Sequence, residues 1–155
     1  GCTFNYYNLH EDSGEKVGDV EVEYHKLLGI NIDKTDIPSI IDELPMLALI
    51  ATQAEGITRV SGAEELRVKE SDRIRAICKN LKEIGADVIE KSDGFIIKGN
   101  TKLKSGKIDT FNDHRIAMTF HIASIVSGKD IVLNNKECVN ISFPNFYKTL
   151  ENILR

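Results

Sequence analysis

Charged side chains gather at three places along this chain where an apolar or amphipathic helix should begin, and acids stand beside cations there. The first is Glu65-Leu66-Arg67-Val68-Lys69-Glu70-Ser71-Asp72-Arg73. Read as the opening of an amphipathic helix, it puts Lys69, Glu70 and Arg73 within one turn, so an acid shares a face with two cations. A helix N-terminus also favours anions through its unpaired N–H groups and macrodipole, and the segment reads as an anion site. A charged helix start facing solvent is the plainer alternative.

The second place is Phe111-Asn112-Asp113-His114-Arg115, which opens into an almost wholly apolar run from Ile116 to Val126. His114 is a titratable base, and the Arg115 guanidinium can grip a carboxylate or phosphate through two parallel hydrogen bonds. The alternative is that Asn112 or Asp113 merely caps the helix and leaves His114 and Arg115 on the surface. The third is Ile41-Asp42-Glu43-Leu44-Pro45-Met46, where a carboxylate pair precedes the apolar run 47–54. A carboxylate is stabilised at such a position and Pro45 is tolerated in a first turn, although capping alone would account for Asp42.

The elements that must hold these groups follow from periodicity. Residues 2–8 and 17–25 alternate as two strands of a hairpin joined by the polar stretch 11–16. Pro38 leads a helix near 39–54 closed by Gly56, and 57–60 reads as a strand. From Ser71, a cap candidate, Ile74, Ile77, Cys78, Leu81 and Ile84 trace a helical stripe ending at Gly85. A second hairpin is expected from 86–90 and 94–98 about Ser92-Asp93, a strand at 107–110, a helix at 113–127 closed by Gly128, a strand at 130–133, and a last helix from Pro144 with Phe146, Leu150 and Ile153 along one face.

The two apolar helices align at an offset of about 72 residues: Met46 with Met118, Ile50 with Ile122, Ala51 with Ala123 and Gly56 with Gly128. This internal repeat sets Asp42 opposite His114, so the charged ends of duplicated helices would face one pocket. Both helices are apolar on all sides, which predicts burial on all sides with sheets around them, unlike a doubly wound fold whose helices lie outside. The fold class expected is α/β (α+β) in a single partial domain over 1–155.

With 155 residues a sizeable core can form without disulfides or metal. A net charge of −4 provides no basic field for nucleic acid. Cys2, Cys78 and Cys138 are odd in number and lack CxxC spacing, which fits a reducing cytoplasm better than a disulfide framework or zinc site. No secretory signal opens the sequence and the apolar runs are too short to span a bilayer, so no membrane partner is expected. Gly1 is not an initiator methionine, and the chain is expected to be an excised piece.

Taken in order, Ile41-Asp42-Glu43-Leu44-Pro45, Arg67-Val68-Lys69-Glu70-Ser71-Asp72-Arg73, Asn112-Asp113-His114-Arg115-Ile116-Ala117-Met118 and Ser142-Phe143-Pro144 resemble the C-terminal third of the 5-enolpyruvylshikimate-3-phosphate synthase family. The resemblance implies repeated βαβαββ units with buried parallel helices and sheets outside, forming part of the lower of two domains that close over a cleft. It implies transfer of the enolpyruvyl group of phosphoenolpyruvate to the 5-hydroxyl of shikimate 3-phosphate, with no metal or organic cofactor. On that reading Asp42 is the base and a shikimate 3-phosphate ligand, Glu70 the proton donor, Lys69 a second shikimate 3-phosphate ligand, Arg73 and Arg115 the grip on phosphoenolpyruvate, and His114 a support. Glu70 would need its pKa raised by desolvation in a closed cleft against the pull of Lys69 and Arg73. Two departures stand out: Ile141 replaces a phosphate-contacting Lys of some members, and Glu65 stands where some have a ligand Asn. A transferase acting on UDP-N-acetylglucosamine and a non-catalytic module of the same fold are the competing readings.

Overall fold

The computed structural model describes residues 2–154, so the reading of Gly1 lies outside the described residues. An antiparallel hairpin opens the chain, β1 (Phe4–Asp12) with β2 (Glu15–Val22). Its strands run further toward the turn than the alternation predicted but begin at Phe4 and end at Val22, inside the predicted outer limits of 2 and 25. The loop shrinks to Ser13 and Gly14, both at positive φ (54° and 85°), the pair of left-handed residues that matches strand twist in a two-residue turn. Cross-strand partners Phe4 and Val22, and Tyr6 and Val20, put apolar side chains on one face, all more than half exposed.

The main sheet has the order β3 (Asn31–Ile32), β4 (Ile57–Val60), β6 (Gly94–Lys98), β5 (Asp87–Lys91). β3 and β4 are parallel and the other pairings antiparallel. The second predicted hairpin is thus β5–β6. A smaller parallel pair, β7 (Gly106–Ile108) with β8 (Ile131–Leu133), packs against the helices from elsewhere. Between them lie α2 (Leu44–Gln53), α3 (Arg73–Glu83) and α4 (His114–Ser127). Leu44, Ile74, Ile77, Leu81, Phe95, Ile97, Ile116 and Phe120 form a continuous core with almost no exposure. The predicted α3 stripe of Ile74, Ile77, Cys78, Leu81 and Ile84 is buried throughout, and Gly85 follows it at φ 90°.

Four expectations are corrected. The helix near 39–54 is two, α1 (Ile37–Ile40) and α2, broken over 41–43. Pro45 explains the break: within a continuous helix it would lack the N–H owed to the Ile41 carbonyl and its ring would clash there. α2 ends at Gln53, with Ala54 already extended, so Gly56 (φ 92°) starts the turn into β4 rather than closing the helix. Lys69 and Glu70 are not helical. A 3₁₀ turn at Glu64–Val68 precedes them and α3 starts at Arg73, capped by Asp72, whose carboxylate accepts from the Arg75 N–H at 3.0 Å. The last helix, α5 (Phe146–Ile153), starts two residues after Pro144, and Ile153 is 73% exposed.

Burial of the apolar helices on all sides is also not what is found. Ile50 on α2 and Ile125 and Val126 on α4 are exposed, because the strands present cover only part of each helix. The 3₁₀ turns at Glu64–Val68 and Lys136–Ile141 begin 72 positions apart, and α3 and α5 follow them at nearly the same offset. No helix among the described residues is long and apolar enough to cross a membrane. Gly94 faces the Val60 carbonyl so closely that a Cβ would collide with backbone. Gly94→Ala is therefore expected to destabilise the fold by about 1–3 kcal/mol, read as a lower urea midpoint.

Candidate functional site

Three chain segments meet where α2, α3 and α4 begin. The sharpest local feature is the approach to α4. Phe111 and Asn112 both take positive φ (53° and 56°), closed by a hydrogen bond from the Asp113 N–H to the Thr110 carbonyl at 2.9 Å. Asn tolerates this conformation; Phe does so at a cost of about 1–2 kcal/mol. The Lys79 ammonium lies 4.8 Å from the Phe111 ring centre and Asn135 donates to the Asn112 side chain, which holds the turn in place. The reversal aims Asp113 inward, where it is fully buried and caps α4 by accepting from the Arg115 and Ile116 N–H groups. Capping, the plainer reading of Asp113, is therefore real but is only half of what the side chain does.

Its other oxygen, Oδ2, accepts from Arg73 Nε at 2.8 Å and from the Ser71 hydroxyl at 2.9 Å. Ser71, predicted as a helix cap, is thus drawn across to α4. Arg73 is only 1% exposed, and all three of its nitrogens are engaged: Nη1 donates to Asp42 Oδ1 at 2.9 Å and Nη2 to Glu70 Oε2 at 2.6 Å. Five N–H groups serve these three bonds, so one remains on each Nη for another acceptor. Asp42 in turn bridges two guanidinium groups, because its Oδ2 accepts from Arg115 Nη2 at 3.1 Å. Arg115 Nη1 reaches the Asp42 carbonyl at 3.1 Å and Glu43 at 3.5 Å.

Asp42, Glu70, Arg73 and Arg115, far apart in sequence, therefore form one hydrogen-bonded cluster. Lys69 is exposed beside it and makes none of the ion pairs among the described residues, though its charge acts on Asp42. His114 is buried at the first position of α4 and bonds to none of the four. Sequence reasoning passed over Ser71 and Asp113 as site residues. The only signal for Asp113 was a cap preceding an apolar helix, a common arrangement. Arg67 has a scaffolding place: it donates to Asp72, to Glu90 and to the carbonyls of Lys91 and Ser92, tying the segment that carries Lys69 and Glu70 to the β5–β6 hairpin. Ile141 is 78% exposed, and Glu65 takes part in none of these contacts.

Burial pushes the Asp42 carboxyl upward, but the Arg73 hydrogen bond and the charges of Arg115, Arg73 and Lys69 outweigh it and hold the group below the ordinary carboxylate value. A depressed folded-state pKa gives stability that is complete above the unfolded value and is lost as pH falls through the folded one. Asp42→Asn is accordingly expected to flatten the acid limb of the stability curve below about pH 4, measured by urea unfolding at stepped pH. Arg73 moves the other way in net effect: burial disfavours its charge, while Asp113, Glu70 and Asp42 together raise its pKa above the ordinary value. The Cys78 thiol, buried away from the cluster, is pushed up to about 12 and stays protonated, as packing rather than chemistry requires. No group of three His, Cys, Asp or Glu among the described residues is arranged to hold a metal.

What the cluster offers is an ionised carboxylate between two arginines, a half-exposed second carboxylate at Glu70, and unspent guanidinium donors, all at or just before helix starts. That combination suits an anionic ligand undergoing proton transfer. The family model described as EPSP synthase (3-phosphoshikimate 1-carboxyvinyltransferase) matches residues 10–150. The 3-phosphoshikimate 1-carboxyvinyltransferase of Oceanobacillus iheyensis is 51% identical over 155 residues, covering 100% of this chain and 36% of that protein. The enzyme of the same name from Persephonella marina is 50% identical over 155 residues, covering 99% of this chain and 36% of its own length. A solved EPSP synthase from Acinetobacter baumannii superposes with a TM-score of 0.89 at 35% identity, over 97% of this chain and 36% of that one. The chain thus spans about a third of the length of the relatives it matches.

Proposed function

Because the chain belongs to the EPSP synthase family, we propose that it supplies one wall of the active site of an enzyme that transfers the enolpyruvyl group of phosphoenolpyruvate to the 5-hydroxyl of shikimate 3-phosphate. In this reading residues 1–155 are the C-terminal part of a two-domain enzyme, carry an internal repeat of about 72 residues within the lower domain, and work in the cytoplasm. The partner that completes the cleft is the N-terminal domain of the same protein. The single observation that carries the proposal is the convergence of Asp42, Glu70, Arg73 and Arg115 within hydrogen-bonding reach of one another.

The chemistry divides among those groups. Addition places a proton on the methylene carbon of phosphoenolpyruvate while the acceptor hydroxyl loses one and its oxygen bonds to the adjacent carbon; elimination then removes a proton from the methyl group so formed and expels phosphate. Asp42, held ionised, accepts the hydroxyl proton. Glu70, at the solvent side of the cluster, delivers the proton to carbon. Arg73 and Arg115 orient the donor's carboxylate with two fixed forks, and fixed orientation lowers the entropic part of the barrier. Lys69 binds the phosphate of the acceptor, and His114 supports the start of α4. Glu70 is 50% exposed in this chain, so the desolvation that a proton donor needs would come from the opposing domain.

The test is an assay of the complete protein with phosphoenolpyruvate and either shikimate 3-phosphate or UDP-N-acetylglucosamine. Phosphate release and enolpyruvyl product with the first acceptor alone are expected; turnover with the sugar nucleotide alone, or with neither, would refute the assignment. Residues 1–155 by themselves are expected not to turn over.

A further inference from the structure

We propose that Asp113 is a positioning residue for the reaction, setting the orientation of the donor-binding arginines and of the segment that carries the proton donor. The inference rests on the function proposed above and adds a residue to it. Asp113 is fully buried, and its two oxygens face different segments. Oδ1 caps α4 through the backbone of Arg115 and Ile116, at 2.9 and 3.4 Å, and so fixes the place from which the Arg115 side chain extends. Oδ2 holds Arg73 Nε at 2.8 Å. A guanidinium is planar and rigid, so fixing Nε from one side and burying the stem determines where Nη1 and Nη2 point. They point at Asp42 and Glu70.

The same oxygen takes the Ser71 hydroxyl at 2.9 Å, and Ser71 directly follows Lys69 and Glu70. Those two residues sit in irregular chain between a 3₁₀ turn and α3, where no helical hydrogen bonds fix the backbone. Arg67 anchors the N-terminal side of this stretch, and the Ser71–Asp113 bond anchors its C-terminal side. One carboxylate that never reaches the open face of the cluster is thereby tied to the segments bearing Lys69, Glu70, Arg73 and Arg115. A group in such a place binds nothing itself. Its effect is on geometry, and small displacements of orienting groups are costly to rate.

Asparagine separates its two duties. In Asp113→Asn the amide oxygen can still cap α4, but the amide N–H₂ then faces the Nε–H of Arg73, donor against donor. With the complete enzyme, Asp113→Asn is expected to raise the KM for phosphoenolpyruvate and lower kcat/KM for it by about a hundredfold, while the KM for shikimate 3-phosphate moves by less than about threefold. Ser71→Ala leaves no buried charge unpaired and guards against a misfolded asparagine variant. It is expected to lower kcat by about tenfold with unchanged thermal stability. The proposal is overturned if Asp113→Asn has wild-type kinetics, or if it raises the two KM values equally. Arg115→Leu serves as the control for the underlying function: a wild-type donor KM in that variant would sink the assigned donor site itself, whereas a raised donor KM there with normal Asp113→Asn kinetics would sink only the role of Asp113.

Discussion

Arg73→Met is expected to destabilise the protein by about 3–5 kcal/mol, the largest loss of stability from any single change in the cluster. The reason lies in what would be left behind. Asp113 and Arg73 are 0% and 1% exposed, and their 2.8 Å contact is the only bond from Arg73 Nε among the described residues. Methionine fills a similar volume but gives the Asp113 carboxylate no cation, and Ser71 Oγ–H with two backbone N–H groups must then hold the charge alone. Asp42 and Glu70 also lose a partner, though both are substantially solvated and Asp42 keeps Arg115. Pairing Arg73→Met with Asp113→Leu should recover much of the loss, since a buried pair replaced on both sides by apolar groups is often near neutral. Urea unfolding of the two variants measures this directly. A single variant within 1 kcal/mol of wild type would mean that the buried carboxylate finds another partner or a proton at little cost.

The largest effect on rate is expected at Glu70. Glu70→Gln keeps size and a hydrogen-bond acceptor for Arg73 Nη2 but cannot give up a proton of useful acidity, so turnover in the complete enzyme should drop by about a hundredfold to ten-thousandfold. Substrate affinity should change far less, because the missing interaction exists only as the proton moves. Steady-state kinetics with both substrates separate the two parameters. A variant with normal kcat would remove Glu70 from the reaction.

Much of the scaffold was legible from periodicity. Both hairpins, α3, α4 and the left-handed Gly85 and Gly128 follow from alternation, from 3.6-residue spacing and from glycine at helix ends. Errors arose where two local rules compete. Ser71 and Asp72 are both good caps, and only the tertiary pull of Asp113 on the serine hydroxyl decides for Asp72. Pro45 is a tolerated first-turn residue, but the same residue forbids the continuous helix that periodicity predicts around it. At the site, the charges at three helix starts pointed to one pocket, and the resemblance to a known family singled out Asp42, Glu70, Arg73 and Arg115 within it. Their mutual engagement could not be read, because two of the three carboxylate partners of Arg73, Asp42 and Asp113, lie 31 and 40 residues away on other elements. Nor could the burial of Arg73: an arginine in a charged motif gives no sign in one dimension that it lies inside the protein.

The β1–β2 hairpin sets the handling properties of this polypeptide. Phe4, Tyr6, Leu9, Val20 and Val22 crowd one side of a two-stranded ribbon whose outer edges have no neighbouring strand among the described residues, while its other side is wet and hydrogen-bonded through Tyr7, Asn8, Asp19 and Glu21. Such a ribbon is a template for adhesion between copies, restrained mainly by the acids around its tip. Residues 1–155 produced alone should thus be limited in concentration by clumping at this one element well before the buried charge cluster, or the core beneath it, begins to give way.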